Sequence, residues 1–303
     1  MLWLSVTISF YFILSIVFLV DKYLLSGSIP NPKVYTFYVG TLGILVLVLI
    51  PFVNFFIPTL PQIILALFAG AIYIYALFWF YKSLQLFEAS RVVPAISGLV
   101  PLFTFGLVYI SSLGKEVLSF SEMIAFILLI LGSCFIVAEK EKFINLKSLK
   151  ISTICALLLS LSFVLLKYVY LAQPFWSGFI WTKIGGFLMA LCFFVLVKEV
   201  REEISQRKDN FKKKTMGIFI INQAAGGGAN ILQNWAFALA PLAYIAIINA
   251  LQGIQYVFLL IFTVLLSLKF PKILREEISK KILFQKIIAI LLIGAGLTLL
   301  AFK

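Results

Sequence analysis

The chain has 303 residues, 63% of them hydrophobic and only 12% charged, with a formal net charge of +13 and no histidine. So little polar surface cannot cover a soluble globule, which excludes an ordinary water-soluble enzyme or binding module. The excess of lysine and arginine would suit nucleic acid, but its placement in the chain follows membrane topology instead.

A membrane-spanning helix needs about 20 mainly apolar residues. Ten segments meet that requirement, roughly 2–20, 34–53, 62–81, 91–110, 121–138, 151–171, 176–197, 215–240, 243–268 and 283–302. Backbone groups in hydrocarbon must bond internally, and runs this continuous lack the alternation of barrel strands. The predicted fold class is therefore an all-α polytopic membrane protein. The first segment has no basic residues before it and no small-residue cleavage site after it, and reads as a permanent helix rather than a signal peptide. Cys134, Cys155 and Cys192 fall inside apolar segments without metal-ligand spacing.

Two echoes divide the chain. Leu14 to Tyr23 (LSIVFLVDKY) matches Leu159 to Tyr168 (LSLSFVLLKY), and Ile124 to Gly132 (IAFILLILG) matches Ile288 to Gly296 (IAILLIGAG). The halves run 1–138 and 151–303, with a connecting loop at 139–150. Five spans per half is an odd number, so the second half enters the membrane upside down, giving ten transmembrane helices as two inverted five-helix repeats. Such repeats recur in secondary transporters, whose substrate sites lie near the midplane between the halves. Twenty lysines and arginines lie in loops after odd-numbered segments, against Lys115 alone after even-numbered ones. The positive-inside rule places the odd loops in the cytoplasm and both termini outside. The strongest of them, Lys198 to Lys214, reads as a solvated topogenic loop.

Tyr75 to Ile110, with its Ala/Ser junction and the Pro101 to Phe103 element, followed by Leu113 to Gly132, resembles the third to fifth helices of EamA-type members of the drug/metabolite transporter superfamily. The resemblance covers nearly the whole chain and implies a transporter of two five-helix repeats. The family's usual topology, with termini inside, is the reverse of the one the charge count gives. Lys115 separates Gly114 from Glu116, Ala125 stands where an early glycine is expected, and Gln255 occupies the counterpart of Pro101.

Function is then sought in polar residues within the spans, which are costly in hydrocarbon. All twelve acidic residues fall in loops or at span ends. The chain thus lacks the embedded carboxylate expected of a proton-coupled exporter of cationic drugs. Lys183, in FIWTKIGGF, places an ammonium inside the seventh segment, where it would attract a carboxylate or phosphate; a snorkelling lysine has the same sequence appearance. A basic residue at about this place also resembles a recurring feature of the superfamily. Lys22 and Lys167, at matching span ends, read as snorkelling.

The eighth segment, IINQAAGGGANILQNWAFALA, puts Asn222, Gly226, Asn230 and Gln233 within an arc of about 80°. Such amides suit zwitterions, amino acids, nucleosides or sugars, or else bond helices to one another. Gly226, Gly227 and Gly228 mark the expected hinge, either as a close helix contact or as a break. The ninth segment carries Asn249, Gln252 and Tyr256 on one face, with Gln255 adjoining, and Tyr75 and Trp79 are expected to form an aromatic wall opposite. With no histidine base, paired intramembrane carboxylates, phosphate loop or serine elbow, neither a catalytic residue nor a cofactor nor a metal is expected.

The expected function is secondary transport of a small polar metabolite, such as an amino acid or related zwitterion or anion, by alternating access in the cell membrane. Its partners would be the small-molecule substrate and the lipid bilayer, with no nucleic acid and with homodimerisation left open. The alternatives are a flippase for a lipid-linked polar head group and a non-transporting membrane scaffold.

Overall fold

A computed structural model of the protein describes residues 2–27, 31–87, 89–137, 146–206, 213–269 and 280–302. Among these, every regular element is helical. In chain order they are α1 (Leu2–Gly27), α2 (Pro32–Leu42) continued by a 3-10 segment (Gly43–Phe52), α3 (Leu60–Leu86), α4 (Ala89–Ser111), α5 (Phe120–Val137), α6 (Leu146–Ala172), α7 (Phe175–Leu196), α8 (Lys198–Gln206), α9 (Lys213–Leu239), α10 (Tyr244–Ala250), α11 (Gln252–Lys269) and α12 (Lys280–Ala301).

Each of the ten expected segments falls on helix, but not on ten uniform spans. Among the described residues, seven stretches are long and apolar enough to cross a membrane: Leu2–Asp21, Pro32–Phe52, Leu60–Leu86, Lys147–Ala172, Phe175–Leu196, Tyr244–Phe262 and Phe284–Ala301. Ala95–Ser111 and Phe120–Phe135 are shorter apolar helices. α9 is long enough, yet Asn222, Gln223, Asn230, Gln233 and Asn234 lower its apolarity. The loop expected at 139–150 is shortened, since α6 begins at Leu146, and the basic stretch after α7 opens with α8; residues 207–212 lie outside the described ones. Leu45, Phe68, Leu191 and Leu291 stand exposed on the outside, as a lipid-facing surface requires.

Two of the expected spans are irregular. The second leaves α-geometry at Gly43 for ten residues of 3-10 helix containing Pro51, none of them buried. Runs of 3-10 helix beyond three or four residues are uncommon, and inside a span they mark a hinge or strain. The ninth is divided at Leu251 into α10 and α11. Carbonyls freed at such a break must find donors when water is excluded. Tyr11 of α1 donates its hydroxyl to the Ile248 carbonyl at 2.9 Å, and Ser133 of α5 donates to Ala250 at 3.1 Å. Tyr11→Phe is therefore expected to cost about 1–3 kcal/mol by leaving the Ile248 carbonyl unpaired, measurable as a lower melting temperature of the detergent-solubilised protein.

Packing between the halves is reciprocal in places. A Cβ at Gly132 would meet Ile293 Cγ1 and the Ala289 carbonyl, while one at Gly296 would meet Leu129 and the Ala125 carbonyl. Ala125, Leu129 and Gly132 occupy the same places in the first echo as Ala289, Ile293 and Gly296 in the second. α5 and α12 thus touch through matching surfaces, as two-fold-related elements do. α1 packs along α9 as α3 packs along α6. One pairing is not matched. α3 packs closely along α7, whereas α2 reaches α9 through Tyr35 and Tyr38, whose rings lie 6.0 and 6.1 Å from that of Phe219.

Candidate functional site

α3 and α7 approach backbone to backbone. A Cβ at Gly70 would lie 1.8 Å from the Thr182 carbonyl oxygen, and one at Gly185 2.1 Å from that of Leu67. This contact fixes α7 so that Lys183, the residue after Thr182, extends toward α9. Its Nζ donates a short hydrogen bond to Asn230 Oδ1 and lies 5.0 Å from the Phe179 ring centroid and 6.0 Å from that of Tyr73. Its stem passes Gly43, the first residue of the 3-10 segment, with Cδ 3.8 Å from where a Cβ would stand.

The Asn230 side chain also takes a 3.1 Å hydrogen bond from Asn234 Nδ2, which bonds the Asn230 carbonyl as well, at 2.8 Å. Tyr170 of α6 donates to Asn234 Oδ1 at 2.6 Å. The Tyr73 ring of α3 borders the Lys183 ammonium. α3, α6, α7 and α9 therefore meet at one polar centre: Lys183, Asn230, Asn234, Tyr170 and Tyr73. Among the described residues no carboxylate pairs with the ammonium. An amide oxygen and two ring faces offset part of the cost of keeping a cation out of water. The site is left with positive charge that an anionic group can complete.

Of the residues expected at a site, the structure brings Lys183 and Asn230 into direct contact. Gln233 is half-buried one turn from Asn230, with no hydrogen bond to this centre. Asn222, about 12 Å away along α9, is buried and donates to Asp21 instead. The ninth span's side chains turn to α4: Asn249 donates to Thr104 at 3.0 Å, Gln252 to the Tyr256 hydroxyl at 3.1 Å, and that hydroxyl bonds Ser97 at 2.9 Å. The break at Leu251 also divides Asn249 from the other two.

Tyr75 stacks near Phe78 and Phe193, and its ring meets that of Trp79 edge-on, 6.3 Å away. The aromatic residue facing the amides is Tyr73, two positions earlier and so on the other side of α3. The Trp79 indole N–H is buried without a partner among the described residues, and Lys82 lies 4.7 Å from its ring.

The three glycines form neither a break nor a close contact. α9 continues through them, a Cβ at Gly226 would meet only Val17 at 3.6 Å, and nothing lies within 4 Å of the corresponding places on Gly227 and Gly228. Lys167 does not snorkel: it is buried and donates to the Ala238 carbonyl at 3.1 Å. Lys22's side chain lies outside the described residues. Two carboxylates at span ends turn inward. Glu122 is buried, accepts from the Tyr244 hydroxyl and caps the start of α5 through Ser119 N–H at 2.7 Å. Asp21 accepts from Tyr35 of α2 and from Asn222 of α9. Asn234, Tyr73, Tyr170 and Asp21 escape sequence reasoning. Only Asn234 carries a signal, its i+4 spacing from Asn230.

The helices define a membrane protein with a half-buried polar centre between them. No family model and no curated protein matches the chain. Among the solved structures that do match, one described only as a crystal structure of a protein superposes with a TM-score of 0.67, covering 98% of this chain and 96% of that one at 14% identity. At that identity the likeness shows the fold alone, and it extends over both chains almost end to end.

Proposed function

We propose that the chain is a secondary transporter of a small polar solute bearing an anionic group, such as an amino acid, working by alternating access between two inverted five-helix halves in the cell membrane. The observation that carries this reading is the Lys183 ammonium, held between α7 and α9 by a neutral amide with no described carboxylate to match it. A lysine serving only cohesion would be expected to meet a carboxylate, because breaking or omitting such a pair in a dry interior is costly. The reciprocal α5/α12 contact supports a two-fold relation of the halves, and the unequal α3/α7 and α2/α9 pairs support one member of a pair of alternating states.

A second reading has one observation in its favour. Ile220 and Ile221 of α9, and Leu45 and Val48 of the 3-10 segment, are exposed apolar residues on the two elements that do not close on one another. An acyl chain would fit beside them, as a flippase for a lipid-linked head group requires.

The test is a thermal-shift screen of the purified protein against amino acids, dicarboxylates, organic phosphates, nucleosides, sugars and amines. Compounds with a carboxylate or phosphate are expected to raise the melting temperature, by the equivalent of about 2.7 kcal/mol at a hundredfold excess over Kd, and the hits are expected to be taken up by proteoliposomes. Stabilisation confined to uncharged sugars, nucleosides or amines would refute the anion site. Stabilisation by isolated anionic lipid, without uptake of soluble hits, would favour the flippase.

A further inference from the structure

About 12 Å along α9 from Asn230, a second polar cluster joins three helices. Asp21 lies at the end of the apolar stretch of α1, half-buried. The Tyr35 hydroxyl of α2 and Asn222 Nδ2 of α9, the latter at 2.7 Å, both donate to its Oδ1. Gln223 Nε2 approaches the Tyr35 hydroxyl at 3.4 Å, and the Tyr81 ring of α3 meets the Tyr35 ring edge-on at 4.8 Å.

Every described partner of the carboxylate is neutral. Tyr35 and Tyr81 face it from α2 and α3, the amides of Asn222 and Gln223 from α9, and among the described side chains of α11 the Gln255 amide is bonded to the Leu14 carbonyl. The nearby Lys33 is paired with Glu199 of α8. Both donors converge on Oδ1, and Oδ2 has no hydrogen-bond partner among the described residues. A carboxyl group with one oxygen taken by two neutral donors and the other without a described partner is arranged to take a proton on that second oxygen. Oδ1 then serves as the carbonyl acceptor.

We propose that Asp21, Tyr35 and Asn222 form a second site, separate from the Lys183 centre, that binds and releases one proton. Its consequence is mechanical as well as chemical. Hydrogen bonds to an ionised acceptor are roughly twice as strong as those to a neutral one, so the charged form ties α1, α2 and α9 together and protonation loosens them. This end is where α2 still reaches α9; beyond it the 3-10 segment departs. The role of the proton in coupling rests on the transporter reading, but its binding does not.

The experiment is pH-difference infrared spectroscopy of the full chain in liposomes, in choline buffer with no solute added. Acidification is expected to produce a protonated-carboxyl C=O band. That band should be lost in Asp21→Asn, retained in Glu122→Gln, and moved to higher frequency in Tyr35→Phe, which removes one donor from the carbonyl oxygen. A band of undiminished intensity in Asp21→Asn would overturn the proposal. So would its suppression when sodium replaces choline at constant pH, because the ligand would then be a metal cation. Should Asp21→Asn fail to fold, an unshifted band in Tyr35→Phe overturns it equally. Because no solute is present, the result stands whether or not an anion binds at Lys183.

Discussion

Lys183→Met is expected to abolish stabilisation by anionic solutes while leaving the protein folded. The substitution keeps an unbranched apolar stem of similar length beside Gly43 and removes the ammonium that meets Asn230. A hydrogen bond to a charged group in such a setting contributes about 1.5–3 kcal/mol, so affinity should fall by roughly 10- to 150-fold. The lost bond leaves Asn230 Oδ1 its contact with Asn234, which limits the damage to stability. Lys183→Arg should retain part of the binding, because the charge persists although the guanidinium is larger and planar. Titrating the strongest hit of the thermal screen by calorimetry against all three proteins measures the effect. Equal affinities in wild type and Lys183→Met would remove the anion site from this position.

The second large effect is a contrast between glycines. Gly70→Ala and Gly185→Ala each force a Cβ to about 2 Å from a backbone oxygen on the facing helix. No rotamer relieves that contact, so α3 and α7 must separate, at a cost of about 3 kcal/mol or more. Gly228→Ala meets open space and gains helix propensity, so it is expected to stabilise by up to about 1 kcal/mol. The two faces are related: the shift that places Gln255 opposite Pro101 places Ile221, Ala224 and Gly228 opposite Leu67, Gly70 and Ile74. The α3 face is closed on α7, while Ile221, Ala224 and Gly228 are exposed. If the proposed transport cycle includes a state in which α9 closes on the 3-10 segment, Gly228→Ala should slow net uptake while raising the melting temperature. Faster or unchanged uptake would dissociate those glycines from the cycle.

Most of the helical content was legible because continuous apolar runs leave the backbone no other way to bond itself. Lys183 and Asn230 were each legible as polar residues inside apolar spans, but not as partners of one another, since their contact depends on how α7 and α9 pack. What remained hidden depends on rotation and on tertiary donors. Tyr73 and Tyr75 look alike in sequence, yet two positions turn a helix by about 200°, and only the α3/α7 contact fixes which one faces the amides. The break between α10 and α11 follows no proline; it stands where Tyr11 and Ser133 supply donors from other helices. Asp21 was legible as a span-end acid but not as an inward one, since Tyr35 and Asn222 come from helices distant in sequence.

The ten residues of 3-10 helix from Gly43 to Phe52 carry a geometric corollary. A 3-10 helix rises about 2.0 Å per residue against about 1.5 Å for an α-helix, and advances about 120° rather than 100°. Rewinding the segment would draw Phe52 about 5 Å toward Leu42 and spin it by roughly half a revolution. Leu45 and Val48 would then change the direction they face without unfolding, and the length taken up would fall on the connection to α3. A change of winding in one short stretch thus supplies both a stroke and a swivel beside the lysine.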